Sequence, residues 1–240
     1  MQKNNESIFN LLCDKYHLST DDRNYLDKLF FPIISNDNFK KRLSNEFYHH
    51  GQITLGEHIL EDAILTYILS KKYVKKNKID NYRIDLAIKI ALLHDLYTIP
   101  WQNNKEAKVK HFFNKHGFRH PVEAVINSIS WYPEIYNNSD AEIIIDGVLH
   151  HMFPLPVRIL NGDIELKNKE LYDNLDNQYK EIINNSLKRK SIGAISFCRS
   201  KYKEGRIMAK ADRITSKRQI KNLSTAKSLI TGHNKKINSR

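Results

Sequence analysis

The sequence is poor in residues that interrupt helices and in residues that cross-link chains. It contains eight glycines, six prolines and two cysteines among 240 residues. Cys13 and Cys198 stand far apart and form no Cys-x-x-Cys pair, which argues against a disulfide framework and against a thiolate metal site. Between the few glycines and prolines, apolar residues recur every three or four positions. This spacing predicts an all-α fold.

The sequence also lacks long hydrophobic runs. None reaches the roughly 18 to 20 uncharged apolar residues that a bilayer-spanning helix requires. The opening segment, MQKNNESIFNLLCDKY, has no apolar stretch of the kind found in a secretion signal. We therefore expect a cytoplasmic protein without a membrane partner.

Acidic residues are fewer than basic ones, and the formal net charge is +12. Such an excess suits a polyanionic partner, because lysine and arginine neutralise phosphates in nucleic-acid binding. The basic residues are nevertheless scattered along a chain that is rich in Asn, Lys and Ile throughout. A general compositional bias explains that distribution equally well, so nucleic acid stays open as a partner without support from a defined patch.

The chain is expected to divide into three regions. Residues 1–47 contain two short amphipathic segments, separated by a polar cap signal at Ser19 to Asp22, and are expected to form an N-terminal helical flank. Residues 48–221 are expected to form the main helical domain, with a polar insertion at 162–195 that contains one helix. Residues 222–240 are expected to form a frayed basic tail.

Start and stop signals mark the helices of the main domain. Thr54 and Glu57 have capping-box spacing, and Pro121 favours the first turn of a helix that starts near His120. Three more helices are expected: one after Asn81 that reaches His94, one from Asp140 to His150, and one from Arg206 to about Ile220.

Histidines and aspartates recur at the ends of these helices and on their apolar faces. The candidate metal ligands, in chain order, are His58, His94, Asp95, His120, His150, His151 and Asp212. Imidazole binds first-row metals such as Fe and Mn, and the two oxygens of one aspartate can bridge two cations. The set therefore predicts a site for two divalent metal ions of the first transition row.

Four local strings accompany these residues in the same order: LLHDLYTIPW at 92–101, GFRHP at 117–121, HMFPL at 151–155 and KADR at 210–213. Together with the order of a histidine, a His-Asp pair, further histidines and a distant aspartate, they resemble the HD-domain superfamily. The strings are most similar to small bacterial HD-type metal-dependent phosphohydrolases. The resemblance extends from Tyr48 to Lys221 and implies an HD-domain helical bundle over residues 48–221.

The resemblance also implies how the ligands are shared. One ion would be held by His58, His94, Asp95 and Asp212, and the other by Asp95, His120 and His150 or His151. Asp95 would therefore bridge the ions. Adjacent helical residues point about 100° apart, so His150 and His151 can both bind only where the helix ends, and the HMFPL match favours His151.

Other polar residues near these ligands are candidates for supporting roles. The predicted catalytic residues are the bridging ligand Asp95 and two arginines beside the ligands, Arg119 and Arg213. Arginine can bind a phosphate through two parallel hydrogen bonds. Asp62, one turn after His58, is a candidate to accept the second ring N–H of that histidine. Five of the six other histidines lie in polar surroundings and are expected at the surface: His49, His50, His111, His116 and His233. His116 is also close enough in sequence to His120 to line the pocket.

The leading functional prediction is a metal-dependent phosphohydrolase, either a phosphomonoesterase or a phosphodiesterase, acting on a small nucleotide-like phosphate ester. The chain has no Gly-Tyr-Pro string, which argues against the cyclic-dinucleotide phosphodiesterases of the HD-GYP branch. Two alternatives stay open, an HD-type di-iron oxygenase and a nucleic-acid-binding module. The sequence does not define the substrate, the metal or the oligomeric state.

Overall fold

The computed structural model describes residues 5–44, 46–50, 53–99, 112–136, 139–160 and 168–237, with side chains described from 8 to 222 within those ranges except at position 50. These residues are mostly helical, which confirms the all-α prediction. The helices are α1 (Asn5–Lys15), α2 (Thr20–Ile34), α3 (Asp37–Arg42), α4 (Leu55–Asn77), α5 (Ile84–Leu93), α6 (His116–Trp131), α7 (Pro133–Tyr136), α8 (Ala141–Leu149), α9 (Lys169–Asp173), α10 (Asn177–Lys188) and α11 (Lys203–Ile237). None of the helices in these ranges is both long enough and apolar enough to cross a membrane.

The strands are short and form two small antiparallel sheets. The first pairs β1 (Tyr48–His50) with β2 (Ile53–Thr54) immediately before α4. In the second sheet, β5 (Ile195–Ser196) lies between β3 (Val157–Arg158) and β4 (Ser191–Ile192). The strands contribute little to the hydrophobic core, which is built mostly by the helices, although Val157 of β3 belongs to it.

Helix α4 lies at the centre of the fold and packs against α1, α5 and α11. It starts with the predicted capping box: the Glu57 backbone N–H donates to Thr54 Oγ1 (3.2 Å), and the Thr54 backbone N–H donates to Glu57 Oε2 (2.9 Å). Its apolar residues Ile59, Leu60 and Ile64 are fully buried. A firmly capped and buried first turn fixes the position of any side chain that it carries.

Two glycines allow the helices behind the site to approach closely. A Cβ at Gly205 of α11 would lie 2.7 Å from the Cα of Gly147 in α8, and a Cβ at Gly147 would lie 2.6 Å from Ile90 Cδ1 in α5. Both distances are too short for a side chain. The ends of α5 and α8 are thereby brought next to the face of α11.

Most of the predicted helix boundaries agree with the structure. Helix α5 ends at Leu93 with His94 as its C-cap, and α8 ends at Leu149 with His150 as its C-cap. The prediction that a helix starts near His120 is wrong, because this helix, α6, already begins at His116 and contains Pro121 in its interior. Pro121 is the sixth residue of α6 and lacks the N–H that would bond to the Gly117 carbonyl, so the first-turn signal lies about one turn late.

The N-terminal flank and the insertion both pack against the main helical domain. Residues of the N-terminal flank, including Leu26 and Phe30, belong to the same buried core as the main domain. The insertion packs α10 against α8 through Tyr179, Ile183 and Leu187, and it contains α9 as well as α10; its residues 162–167 lie outside the described ranges. The backbone of α11 continues through Ile237, so the last helix extends well beyond the predicted end near Ile220 and into the region expected to be frayed.

Candidate metal centre

Five helices deliver the predicted ligands to one buried point. Six of the seven candidates meet there: His58 in the first turn of α4, His94 and Asp95 at the end of α5, His120 in α6, His151 at the end of α8 and Asp212 in α11. All six are buried, with at most 8% of any residue exposed. Ionisable groups buried to this extent need partners of opposite charge or a metal ion.

The carboxylate of Asp95 lies between two pairs of histidines. Its Oδ1 is 3.2 Å from His120 Nε2 and 3.7 Å from His151 Nε2. Its Oδ2 is 3.6 Å from His94 Nε2 and 3.8 Å from His58 Nε2. Each oxygen therefore faces two imidazole nitrogens, which is the arrangement required of a carboxylate that bridges two cations.

The other ring nitrogen of three of these histidines is bound to a backbone carbonyl. The pairs are His94 Nδ1 with Ala91 O (2.7 Å), His120 Nδ1 with His116 O (3.1 Å) and His151 Nδ1 with Val148 O (2.7 Å). A carbonyl oxygen only accepts hydrogen bonds, so Nδ1 must carry the proton in each ring. In the neutral ring, Nε2 then carries the free lone pair on the side of the carboxylates. A metal-bound histidine has the same tautomer, with this lone pair on the metal ion.

The histidine in α4 is oriented by a side chain. His58 Nδ1 lies 3.2 Å from Gln219 Oε1, and Gln219 Nε2 donates to Glu61 Oε2 at 3.2 Å. Asp62, which the sequence suggested for this role, instead lies on the Nε2 side, with its Oδ2 3.1 Å from His58 Nε2 and 3.5 Å from His94 Nε2. Asp62 is fully buried and belongs with the candidate ligands.

Negative charge accumulates at this point. Burial by itself lowers the pKa of the His58 imidazole, but the carboxylates of Asp62, Asp212 and Asp95 raise that pKa to about 10. Burial raises the pKa of Asp62 to about 7. Burial and the neighbouring imidazoles lower the pKa of His151 to about 3, so this ring is neutral. Without a cation, a proton on His58 offsets part of the negative charge, and a divalent ion would displace it.

The spacing of these groups is suitable for metal ions. One set of four buried residues, His58, Asp62, His94 and Asp212, offers ligand atoms that all lie within 4.8 Å of one another. A second set contains His94, Asp95 and His151. His94 belongs to both sets. Its buried Nε2 has no hydrogen-bond partner among the described residues. The donors are imidazole nitrogens and carboxylate oxygens, which suit first-row transition metals.

His49 belongs to the site although the sequence placed it at the surface. Its ring stacks on that of His58 at a centroid distance of 3.9 Å, and its Nδ1 is 3.9 Å from Asp95 Oδ2. With His58 and Asp95 it forms a third group of potential ligands. It lies on the three-residue strand β1, which is too short to show a periodic pattern in the sequence.

The structure does not bring His150 to the other candidates. Its Nε2 is 3.1 Å from Ser186 Oγ and 3.8 Å from Asp146 Oδ1. The divergence of adjacent helical residues explains why only one of the two rings reaches the cluster.

The two arginines that the sequence singled out differ in their surroundings. Arg119 is buried, donates from Nε to Glu123 Oε1 (2.7 Å) and from Nη1 to the Asn114 carbonyl (2.8 Å), and so serves the fold. Arg213 is exposed and donates from Nη1 to the Phe153 carbonyl at 2.8 Å. Of the two, only Arg213 lines the cavity at the metal centre.

A cavity of about 550 Å³ opens onto the cluster. Its polar wall includes Asp95 and Asp212 together with the rings of His49, His116, His120 and His151, and its apolar wall includes Tyr97, Met152, Leu155 and Ile220. His116 lines this cavity, as predicted, and its ring stacks on that of His120 at a centroid distance of 4.9 Å. Of the other three histidines expected at the surface, His111 lies outside the described residues and the side chains at positions 50 and 233 are not described. The volume suits a small organic ligand.

The described residues thus include a buried His/Asp cluster that could hold metal ions at the base of an open cavity. A scan against protein-family models finds no match to the chain. No curated protein and no solved structure matches it either. The functional interpretation therefore depends on the geometry of these residues.

Proposed function

We propose that this chain is an HD-type metal-dependent phosphohydrolase that acts on a small, nucleotide-like phosphate ester through a dinuclear His/Asp site. The observation that carries the proposal is the position of Asp95, whose two oxygens each face two histidine Nε2 atoms at 3.2 to 3.8 Å. The hydrogen bonds to Nδ1 support it, because they orient the rings before any ion binds.

The ligands divide into two groups around Asp95. His58, Asp62, His94 and Asp212 would hold one ion, and His120 and His151 the other, with Asp95 between them. Asp62 is an addition to the ligand set expected from sequence. When bound, a pair of divalent cations lowers the pKa of a water molecule and offsets the charge that develops on the phosphoryl oxygens.

The chain itself supplies substrate orientation. The guanidinium of Arg213 borders the cavity, and its bond to the Phe153 carbonyl restrains the side chain while leaving other N–H groups for phosphate oxygens. The apolar wall formed by Met152, Leu155 and Ile220 can pack against a base or another organic group. Asp95 is 4% exposed, so the reacting group would meet the metal centre at the base of the cavity and away from bulk water.

The proposal is tested by purifying the protein without chelators, measuring its metal content and then assaying hydrolysis of bis-p-nitrophenyl phosphate and a nucleotide panel. We expect activity that EDTA removes and that Mn²⁺ or Fe²⁺ restores. His151→Ala should abolish it, whereas the matched control His17→Asn, at an exposed histidine far from the cluster in sequence, should not. Full hydrolysis after exhaustive dialysis against EDTA would contradict the proposal, and substrate-dependent oxygen uptake without phosphate release would favour a di-iron oxygenase.

A further inference from the structure

A second, smaller cavity of about 220 Å³ lies beside the metal centre. Three arginines line it, Arg199, Arg206 and Arg213, and its described lining contains no carboxylate. Three like charges around so small a volume repel one another unless a negative ion lies between them.

Two of these guanidinium groups are held in position by backbone carbonyls. Arg206 donates from Nε to the Ser200 carbonyl (2.7 Å) and from Nη2 to the Lys201 carbonyl (3.0 Å), and Arg213 donates to the Phe153 carbonyl. Carbonyl groups orient a guanidinium without cancelling its charge, and each arginine has five N–H groups, so further donors are left for a ligand.

The carboxylate behind this cavity is already engaged. Asp146 accepts hydrogen bonds from Ser186 Oγ (2.9 Å), Ser200 Oγ (2.7 Å) and the Lys201 backbone N–H (2.7 Å), and it also pairs with Arg189. Asp146 is buried and does not line the cavity. Its charge is therefore directed to Arg189 and to the polar groups around it.

The small cavity and the metal-centre cavity are adjacent. Pro154 and Arg213 line both, and Arg213 directly follows the candidate ligand Asp212. A ligand with one phosphoryl group at the His/Asp cluster could therefore extend a second anionic group past Arg213 toward Arg199 and Arg206.

We propose that this arginine cavity is a subsite for a second phosphate group of the substrate. The assignment to a substrate rests on the proposed phosphohydrolase function, whereas the binding of an anion to the cavity does not. The preferred substrate class is then a nucleoside diphosphate or another compound with two phosphates, in preference to a monophosphate. Arginine suits this role because its planar fork matches phosphate oxygens.

Anion binding is tested by isothermal titration of the metal-containing protein with sodium sulfate at low ionic strength. Arg199→Gln removes an exposed charge from the cavity, and Lys210→Gln is the matched control, since Lys210 is an exposed cation of α11 that lines a different surface with Leu69 and Tyr73. Loss of one charge-assisted contact should weaken sulfate binding about tenfold in Arg199→Gln, and Lys210→Gln should bind like the wild type. Equal affinity in Arg199→Gln and the wild type would overturn the subsite.

The second measurement concerns the substrate. In Arg199→Gln, the ratio of kcat/KM for ADP to kcat/KM for AMP should fall relative to the wild type. If both nucleotides are hydrolysed and this ratio is unchanged, the cavity does not bind a second phosphate group of the substrate. If sulfate binding depends on Arg199 but no phosphate ester is hydrolysed, the anion site stands and the phosphohydrolase proposal fails.

Discussion

A buried amide connects the N-terminal flank to the metal centre, and its removal should weaken metal binding. Gln219 Oε1 lies 3.2 Å from His58 Nδ1, while Gln219 Nε2 donates to Glu61 Oε2. The other oxygen of Glu61 accepts hydrogen bonds from Lys15 Nζ (2.5 Å) and Tyr16 Oη (2.8 Å). Lys15 is the last residue of α1, and Tyr16 directly follows it. Gln219 therefore holds the ring of a candidate ligand and is itself held in place.

The substitution Gln219→Met removes both hydrogen bonds and keeps the volume of the buried side chain. Loss of an outer partner of a metal-bound histidine weakens metal binding by about 10- to 100-fold, or about 1.4 to 2.7 kcal/mol. The two lost hydrogen bonds should also lower the free energy of unfolding by about 2 kcal/mol. The fold should survive that loss, because most domains of this kind have a stability of about 5 to 15 kcal/mol.

The assay is a metal titration against a competing chelator, with circular dichroism to confirm that the variant is helical. Gln178→Met, at an exposed glutamine of α10, is the matched control and should bind metal like the wild type. Wild-type metal affinity in a folded Gln219→Met variant would show that the ring of His58 does not need this bond, and would refute the reasoning.

Two further predictions concern the fold. Arg119→Met should destabilise the protein by about 3 to 5 kcal/mol, because it breaks the buried ion pair between Arg119 and Glu123. Adding Glu123→Leu should restore part of the loss in urea unfolding, and an unchanged Cm in the single variant would contradict a structural role of Arg119. Hydrogen bonds from Lys71 and Tyr67 lower the pKa of Asp22 from 3.8 to about 2. The stability that this carboxylate contributes is therefore present above pH 3.8 and is lost as the pH falls toward 2. Asp22→Asn should flatten that part of the stability profile, and an identical acid profile in the variant and the wild type would argue against the assignment.

Local signals in the sequence were sufficient for most of the fold. The capping box at Thr54 and Glu57 and the apolar repeat ahead of His94 depend on residues three or four positions apart, so they can be recognised without tertiary information. The start of α6 was misplaced because proline favours the first turn of a helix, whereas Pro121 lies five residues after the first residue of α6. The extent of α11 was missed although Leu223, Ala226 and Leu229 continue a three-residue apolar spacing past Ile220.

The candidate site could be predicted only in part. The order of the ligands was visible in the chain, but side-chain direction was not, and His150 and His151 could not be separated by residue type. His49 was missed because β1 is too short to show which way its side chains point. The four-residue spacing from His58 identified Asp62, but not that its carboxylate lies on the Nε2 side of the ring. Gln219 was missed; it follows Asp212 by seven residues on the same face of α11, and this spacing is the signal that could have found it.

The most direct test of the central claim is elemental analysis of the wild type, Asp95→Ala and His120→Ala, each purified without chelators and shown to be helical. The wild type should carry about two metal ions per chain, and His120→Ala about one, because that ring faces only Oδ1 of Asp95. Asp95→Ala should lose more metal than His120→Ala, since its carboxylate oxygens face both pairs of histidines. A wild type that carries no metal, or an Asp95→Ala variant that is folded and keeps its full metal content, would contradict a metal centre built around Asp95.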